Sequence, residues 1–197
     1  GAGGGYDEDG LRDLIPVDAD YGLELQRGDG TGDYLYEPLS LAAGRLVAIG
    51  GAADYDSDGH ADFIATDDRG LLLLAYGDGH GQFEVQALSS YGDAVLSIGG
   101  GTDYDGDANA DFVTLRVDGS AVLYSGDGAG GFDVGLSELN AGELLLLGRG
   151  ADYDRDGHAD LIGVAADGGG YLSAGRGDGS FEPQRLGNGW DWVRFID

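Results

Sequence analysis

The 197-residue chain carries a formal charge of −27, from 37 acidic against 10 basic residues, and it has no cysteine. That balance argues against nucleic acid as a partner, because duplex binding needs a basic face to neutralise phosphates, and it disfavours anionic membranes on the same ground. Disulfides cannot brace such a chain, no apolar run reaches the length of a membrane span, and every one of the ten basic residues is arginine.

The chain opens Gly1-Ala2-Gly3 with no leader pattern, as a mature or trimmed product would. The first distinctive stretch is Gly5-Tyr6-Asp7-Glu8-Asp9-Gly10-Leu11-Arg12-Asp13. Leu14 to Val17 reads as a short strand, Asp18 to Gly22 as a turn, and Leu23 to Gln26 as a second strand. Gly28-Asp29-Gly30-Thr31-Gly32 then makes a hairpin loop rich in residues that tolerate positive φ. A third strand starts near Tyr34, and a fourth, Leu46 to Ile49, leads through Gly50-Gly51 into a second nonapeptide, Asp54-Tyr55-Asp56-Ser57-Asp58-Gly59-His60-Ala61-Asp62.

The plan then repeats. Asp103-Tyr104-Asp105-Gly106-Asp107-Ala108-Asn109-Ala110-Asp111 and Asp152-Tyr153-Asp154-Arg155-Asp156-Gly157-His158-Ala159-Asp160 follow, and the leading positions 5, 54, 103 and 152 are 49 residues apart throughout. A fixed period of this size marks one repeat domain spanning residues 1–197, with units of about 1–49, 50–98, 99–147 and 148–197.

Carboxylates at positions 1, 3, 5 and 9 of a tight loop converge hard oxygen ligands on one point, with a backbone carbonyl at position 7 and water to complete the roughly six to eight oxygens that calcium takes. The predicted ligands are Asp54, Asp56, Asp58, His60 through its carbonyl, and Asp62 in the second loop. The third loop offers Asp103, Asp105, Asp107, Asn109 and Asp111, and the fourth Asp152, Asp154, Asp156, His158 and Asp160. In the first loop Gly5 has replaced the leading aspartate, so Asp7, Asp9, Leu11 and Asp13 predict a weaker fourth Ca2+ site beside three strong ones. An EF-hand is rejected. Position 12 is Pro16, Ala65, Thr114 or Gly163 where that motif closes with a bidentate glutamate, and apolar or β-branched residues follow where it has a helix. Ala108 stands where the third loop would turn on glycine, at some cost. Four divalent ions would leave a net charge of about −19, which belongs to the surface.

Four short strands per unit and almost no helical periodicity predict an all-β fold, a β-propeller of four four-stranded blades. Leu71 to Leu74 and Leu144 to Leu147 are apolar on both faces, so both faces of those strands are expected to be covered. Kelch units share the paired glycines at Gly50-Gly51 and Gly99-Gly100 but lack an acidic loop directly after them.

The acidic loop, the small residues before it and the Gly77-Asp78-Gly79-His80-Gly81-Gln82-Phe83 turn together resemble the FG-GAP or VCBS repeat family, whose units are similar to the calcium-bearing blades of integrin α-subunit propellers. The resemblance covers nearly the whole chain. It implies an extracellular, calcium-binding β-propeller with the ion in the loop after the innermost strand, and it implies no particular protein or glycan ligand. Gly5, Ala108 and a count of four units against the usual seven depart from the family pattern.

Tyr6, Tyr55, Tyr104 and Tyr153 share position 2, pointing away from the ion, and are expected to pack between blades. The imidazoles of His60 and His158 are expected to be solvated. Arg27-Gly28-Asp29 and Arg176-Gly177-Asp178 spell an integrin-binding tripeptide, which the abundance of glycine and aspartate explains as coincidence. Trp190 and Trp192 could stack on a sugar ring as in propeller lectins. Positions equivalent to Trp192 are Arg45, Ala94 and Glu143, however, and strand packing is the better reading. No nucleophile with a base and no carboxylate pair outside the loops stands out, so no enzyme is predicted. The chain reads instead as a structural or adhesion module, with a lectin or a filament subunit as alternatives.

Residues 1 and 197 fall on the same repeat position, which predicts that Trp192 to Ile196 completes a first blade lacking its innermost strand. Within one chain that tail, pairing with strands of residues 11–40, closes a ring. Between chains it makes a homo-oligomer or polymer.

Overall fold

The computed structural model describes residues 2–17, 22–88, 94–137, 139 and 144–190. Among them there is no helix. Sixteen strands make four antiparallel sheets of four. The first sheet holds β1 (Ala2–Gly4), β2 (Asp13–Ile15), β3 (Leu23–Gly28) and β4 (Tyr34–Leu39). The second holds β5 (Leu46–Ala53), β6 (Asp62–Asp67), β7 (Leu72–Gly77) and β8 (Phe83–Ala87). The third holds β9 (Val95–Thr102), β10 (Asp111–Arg116), β11 (Ala121–Gly126) and β12 (Phe132–Ser137), and the fourth β13 (Leu144–Leu147), β14 (Leu161–Ala165), β15 (Gly169–Gly175) and β16 (Phe181–Asn188). Each sheet is a simple meander, with strands paired in sequence order. Every acidic nonapeptide joins a first strand to a second.

The sheets stack face to face through three apolar cores. Tyr6, Ile15 and Leu25 of the first sheet meet Phe63, Ala65 and Leu73 of the second. Tyr55, Ile64 and Leu74 of the second meet Phe112, Val122 and Tyr124 of the third, and Tyr104, Val113 and Leu123 of the third meet Leu161, Tyr171 and Phe181 of the fourth. This is why the middle strands read as apolar on both sides: Leu72, Leu73 and Leu74 are all buried, alternate ones facing different neighbours. Leu144 to Leu147 departs from that expectation, because Leu145 is 48% exposed.

The paired glycines let the first strands approach one another. A Cβ at Gly50 would lie 2.4 Å from the Ile98 carbonyl oxygen, and one at Gly99 would lie 2.7 Å from that of Gly148. β5 therefore runs on through Gly50-Gly51 to Ala53 instead of ending before them. Pro38 lies inside β4, an outer strand where the missing N–H costs no ladder bond.

The expectation that the first sheet lacks its innermost strand is corrected: β1 occupies that place, with Ala2 opposite Ile15 and Gly4 opposite Asp13. It is three residues long where β5 and β9 are eight. Trp192 to Ile196, and the predicted turn at 18–21, lie outside the described residues.

Candidate metal centres

The nonapeptides fold by local hydrogen bonds that their aspartates dictate. In each loop the N–H of position 7 donates to the position-5 carboxylate: Leu11 to Asp9 at 2.8 Å, His60 to Asp58 at 2.8 Å, Asn109 to Asp107 at 2.8 Å and His158 to Asp156 at 2.9 Å. The N–H of position 5 donates in the same way to position 3, from 3.1 to 3.2 Å. Position 1 accepts from the residue at position 6, Gly59, Ala108 or Gly157. These aspartate-to-backbone turns bend the chain round its own carboxylates.

Two residues in each loop take positive φ, not one. Position 6 does so as expected, at Gly10, Gly59, Ala108 and Gly157, and position 4 does so at Glu8, Ser57, Gly106 and Arg155. The third loop has thus moved its glycine from position 6, where Ala108 sits at φ 71°, to position 4, where Gly106 sits at φ 88°. Sequence reading caught the first half of that exchange and missed the second.

Position 9 has a structural duty as well. Asp62 is fully buried; Oδ2 accepts from the Tyr55 N–H at 2.8 Å and Oδ1 from the Gly77 N–H at 2.9 Å. Asp111 does the same with Tyr104 and Gly126 at 2.7 and 2.9 Å, Asp160 with Tyr153 and Gly175 at 2.8 and 2.9 Å, and Asp13 with Tyr6 and Gly28 at 2.7 and 3.1 Å. Each carboxylate clamps the start of its loop to the end of the third strand. The glycine at that strand end is required, since a Cβ at Gly77 would stand 2.2 Å from the Ala61 carbonyl oxygen. Burial pushes the carboxyls of Asp62 and Asp111 up to about 6, and neighbouring loop carboxylates add to the rise. A cation beside them would relieve that cost.

Three carboxylate triads result, each with ligand atoms within 4.8 Å of one another: Asp54, Asp56 and Asp58; Asp103, Asp105 and Asp111; Asp152, Asp154 and Asp160. Positions 1 and 3 belong to all of them. The third member is position 5 in the second loop and position 9 in the third and fourth. None of these nine carboxylates pairs with a basic side chain among the described residues. An all-oxygen, anionic donor set fits a hard divalent cation.

The predicted fourth site is not assembled in this way. No triad forms from Asp7, Asp9 and Asp13, and Asp7 is bound instead by the Arg27 guanidinium, 2.7 Å away. Burial raises the Asp7 carboxyl, but Arg27 and the Asp9 N–H outweigh it and hold the group below its ordinary value.

The position-2 tyrosines pack between sheets as predicted in three cases and not in the fourth. Tyr6, Tyr55 and Tyr104 are each 1% exposed and edge-on to phenylalanines of the next sheet, whereas Tyr153 is 43% exposed. The carbonyls of the buried three accept the N–H of Gly81, Gly130 and Gly179 in the next sheet's hairpin. His60 is not simply solvated. Its Nδ1 pairs with Glu8 of the first loop, which raises the imidazole above its ordinary value and ties the first two sheets together. His158 is exposed.

Of the two Arg-Gly-Asp sequences, Arg27 is engaged by Asp7 and Glu37, and Asp29 turns back on Thr31. Arg176 pairs with Glu182, and Asp178 with Ser180. Trp190 lies against Gly170, whose added Cβ would meet the indole at 2.6 Å, so this tryptophan packs on its own sheet. Trp192 lies outside the described residues. The chain matches no protein-family model and no curated protein.

Proposed function

We propose that this chain is a calcium-stabilised, extracellular β-propeller that serves as a structural or adhesion module and performs no catalysis. The observation that carries the reading is the recurrence of one loop geometry three times, each with a carboxylate triad that no arginine among the described residues neutralises. Such loops hold an uncompensated negative charge against a packed sheet, and a divalent cation is what their oxygens suit. When bound, the ion supplies charge neutralisation and cross-linking of the loop. The protein's own aspartates supply the turn, the clamp on the third strand and the orientation of the oxygens.

The acidic surface and the absence of lysine agree with a calcium-rich medium, and a structural role fits sites on loops that brace each first strand to its sheet. Calorimetric titration with calcium is expected to count three ions per chain, and EDTA to lower the melting temperature. Dissociation constants near 10⁻⁴ to 10⁻³ M are expected for an extracellular module. No bound calcium together with an unmoved melting temperature would sink the reading.

Ring closure is part of the proposal. On the first sheet, Leu14 and Tyr34 occupy the places that Phe63 and Phe83 take in the second, so they are the residues on which Tyr153 would rest. Leu14 is only half-buried, where Phe63, Phe112 and Leu161 are fully buried. An exposed Tyr153 equally suits the alternative, in which a neighbouring copy covers the same face and an oligomer or filament grows.

A further inference from the structure

The first loop shares its hydrogen bonds with the other three but not its countercharge. Gly5 stands where Asp54, Asp103 and Asp152 stand, so this loop has three carboxylates at positions 1, 3, 5 and 9 where each of the others has four. Arg27 stands where the later repeats have Tyr76, Ser125 and Ala174, so β3 carries a cation that no other third strand has at that place. The two departures meet in space. Arg27 Nη1 lies 2.7 Å from Asp7 Oδ2, the position-3 carboxylate, with the side chains 21% and 10% exposed. Its Nε and Nη2 donate to Glu37 at 3.1 and 3.0 Å, and Nη2 also donates to the His80 carbonyl at 3.0 Å, in the hairpin of the second sheet. A planar guanidinium is suited to such a task because its donors stand in a fixed fork and it stays charged at every working pH.

We propose that Arg27 is the resident cation of the first loop, a side chain doing there what a divalent ion does in the other three. The inference rests on the calcium reading of those three loops. It has a structural consequence of its own: the first loop stays charge-compensated, and fastened to the second sheet's hairpin, when free calcium falls. The molecule then keeps one metal-independent loop beside three that depend on the ion.

The test gives the first repeat the pattern of the others, an aspartate at residue 5 and no cation at residue 27. A Cβ at Gly5 meets only the Leu11 carbonyl oxygen, at 3.4 Å, so an aspartate fits there. Calcium titration of the intact chain is expected to give three ions for the natural sequence and four for the Gly5→Asp, Arg27→Tyr double variant. Four ions on the natural sequence, or three on a double variant whose circular dichroism is unchanged, would overturn the proposal. A second arm runs without calcium. In EDTA, Arg27→Tyr is expected to speed amide exchange at Asp9 and Leu11 about tenfold, the effect of losing one charge-assisted bond, and to leave Asp107 and Asn109 of the third loop unchanged. Equal exchange with and without Arg27 rejects the proposal even if calcium binds nowhere, a result that would separately remove the reading it rests on.

Discussion

Replacing the buried position-9 aspartate separates structure from metal, because the first and third loops share the clamp but only the third has a carboxylate triad. Asp111 accepts two buried backbone N–H groups at 2.7 and 2.9 Å, and Asp13 accepts two at 2.7 and 3.1 Å. A hydrogen bond to a charged group contributes about 1.5–3 kcal/mol, so Asp111→Ala and Asp13→Ala should each cost about 3–6 kcal/mol from the clamp alone. Asp111 also belongs to a triad, and Asp13 does not. Calcium at a hundredfold excess over its dissociation constant adds about 2.7 kcal/mol for each site it fills in the native state. In EDTA the two variants should therefore melt alike. In calcium Asp111→Ala should fall further, by about 5–10 °C for a chain of this size. Asp111→Asn, which keeps one acceptor oxygen, provides the same comparison at lower structural cost. Thermal melts followed by circular dichroism, with and without calcium, decide the matter. If Asp111→Ala retains the full calcium-induced rise of the natural sequence, Asp111 is a clamp and not a ligand.

The third loop should gain from Ala108→Gly, by up to about 1 kcal/mol, since the alanine sits at φ 71° where glycine is free of steric cost; an unchanged melting temperature would deny any strain there. Truncating the tyrosines tests closure: Tyr104→Ala should cost about 3–5 kcal/mol, and Tyr153→Ala about as much when the ring closes over it as proposed, whereas a cost well under half of that would leave the face open and refute closure. Equal losses would mean that the fourth sheet's outer face is covered in solution, and light scattering would then show whether the cover is the same chain or another. Asp67 sits buried at the turn between β6 and β7, where burial raises its carboxyl but the Leu71 N–H and the Arg69 guanidinium outweigh that and hold it low. A depressed carboxylate stabilises the fold above its unfolded value, about 3.9, and that contribution is lost as pH falls through the lower folded value. Asp67→Asn should accordingly cost about 1–3 kcal/mol near pH 7, with the gap to the natural sequence narrowing below about pH 4; a gap that is flat with pH would refute the role.

The loops and strands were legible in the sequence because the forces that make them act over few residues. An aspartate that bonds the N–H two places on writes its turn into the local pattern, as Asp58 does with His60 and Asp107 with Asn109. The 49-residue period then placed the strands, and the doubly apolar Leu71 to Leu74 announced a sheet covered on both sides, as it is at Leu72, Leu73 and Leu74. What the sequence left open was decided by partners distant along the chain. Arg27 meets Asp7 across twenty residues, and His60 meets Glu8 across fifty-two, so neither pair shows in any local motif. The clamp from Asp62 to Gly77 depends on where the third strand ends, fifteen residues away. Tyr153 shares its motif position with Tyr6, Tyr55 and Tyr104, yet it alone is exposed, because burial is a property of what stands opposite and not of the residue itself. Sequence determined where charge and turns recur along this chain. The stacking of sheets determined which of those charges are answered by a side chain and which are left facing a site fit for a metal ion.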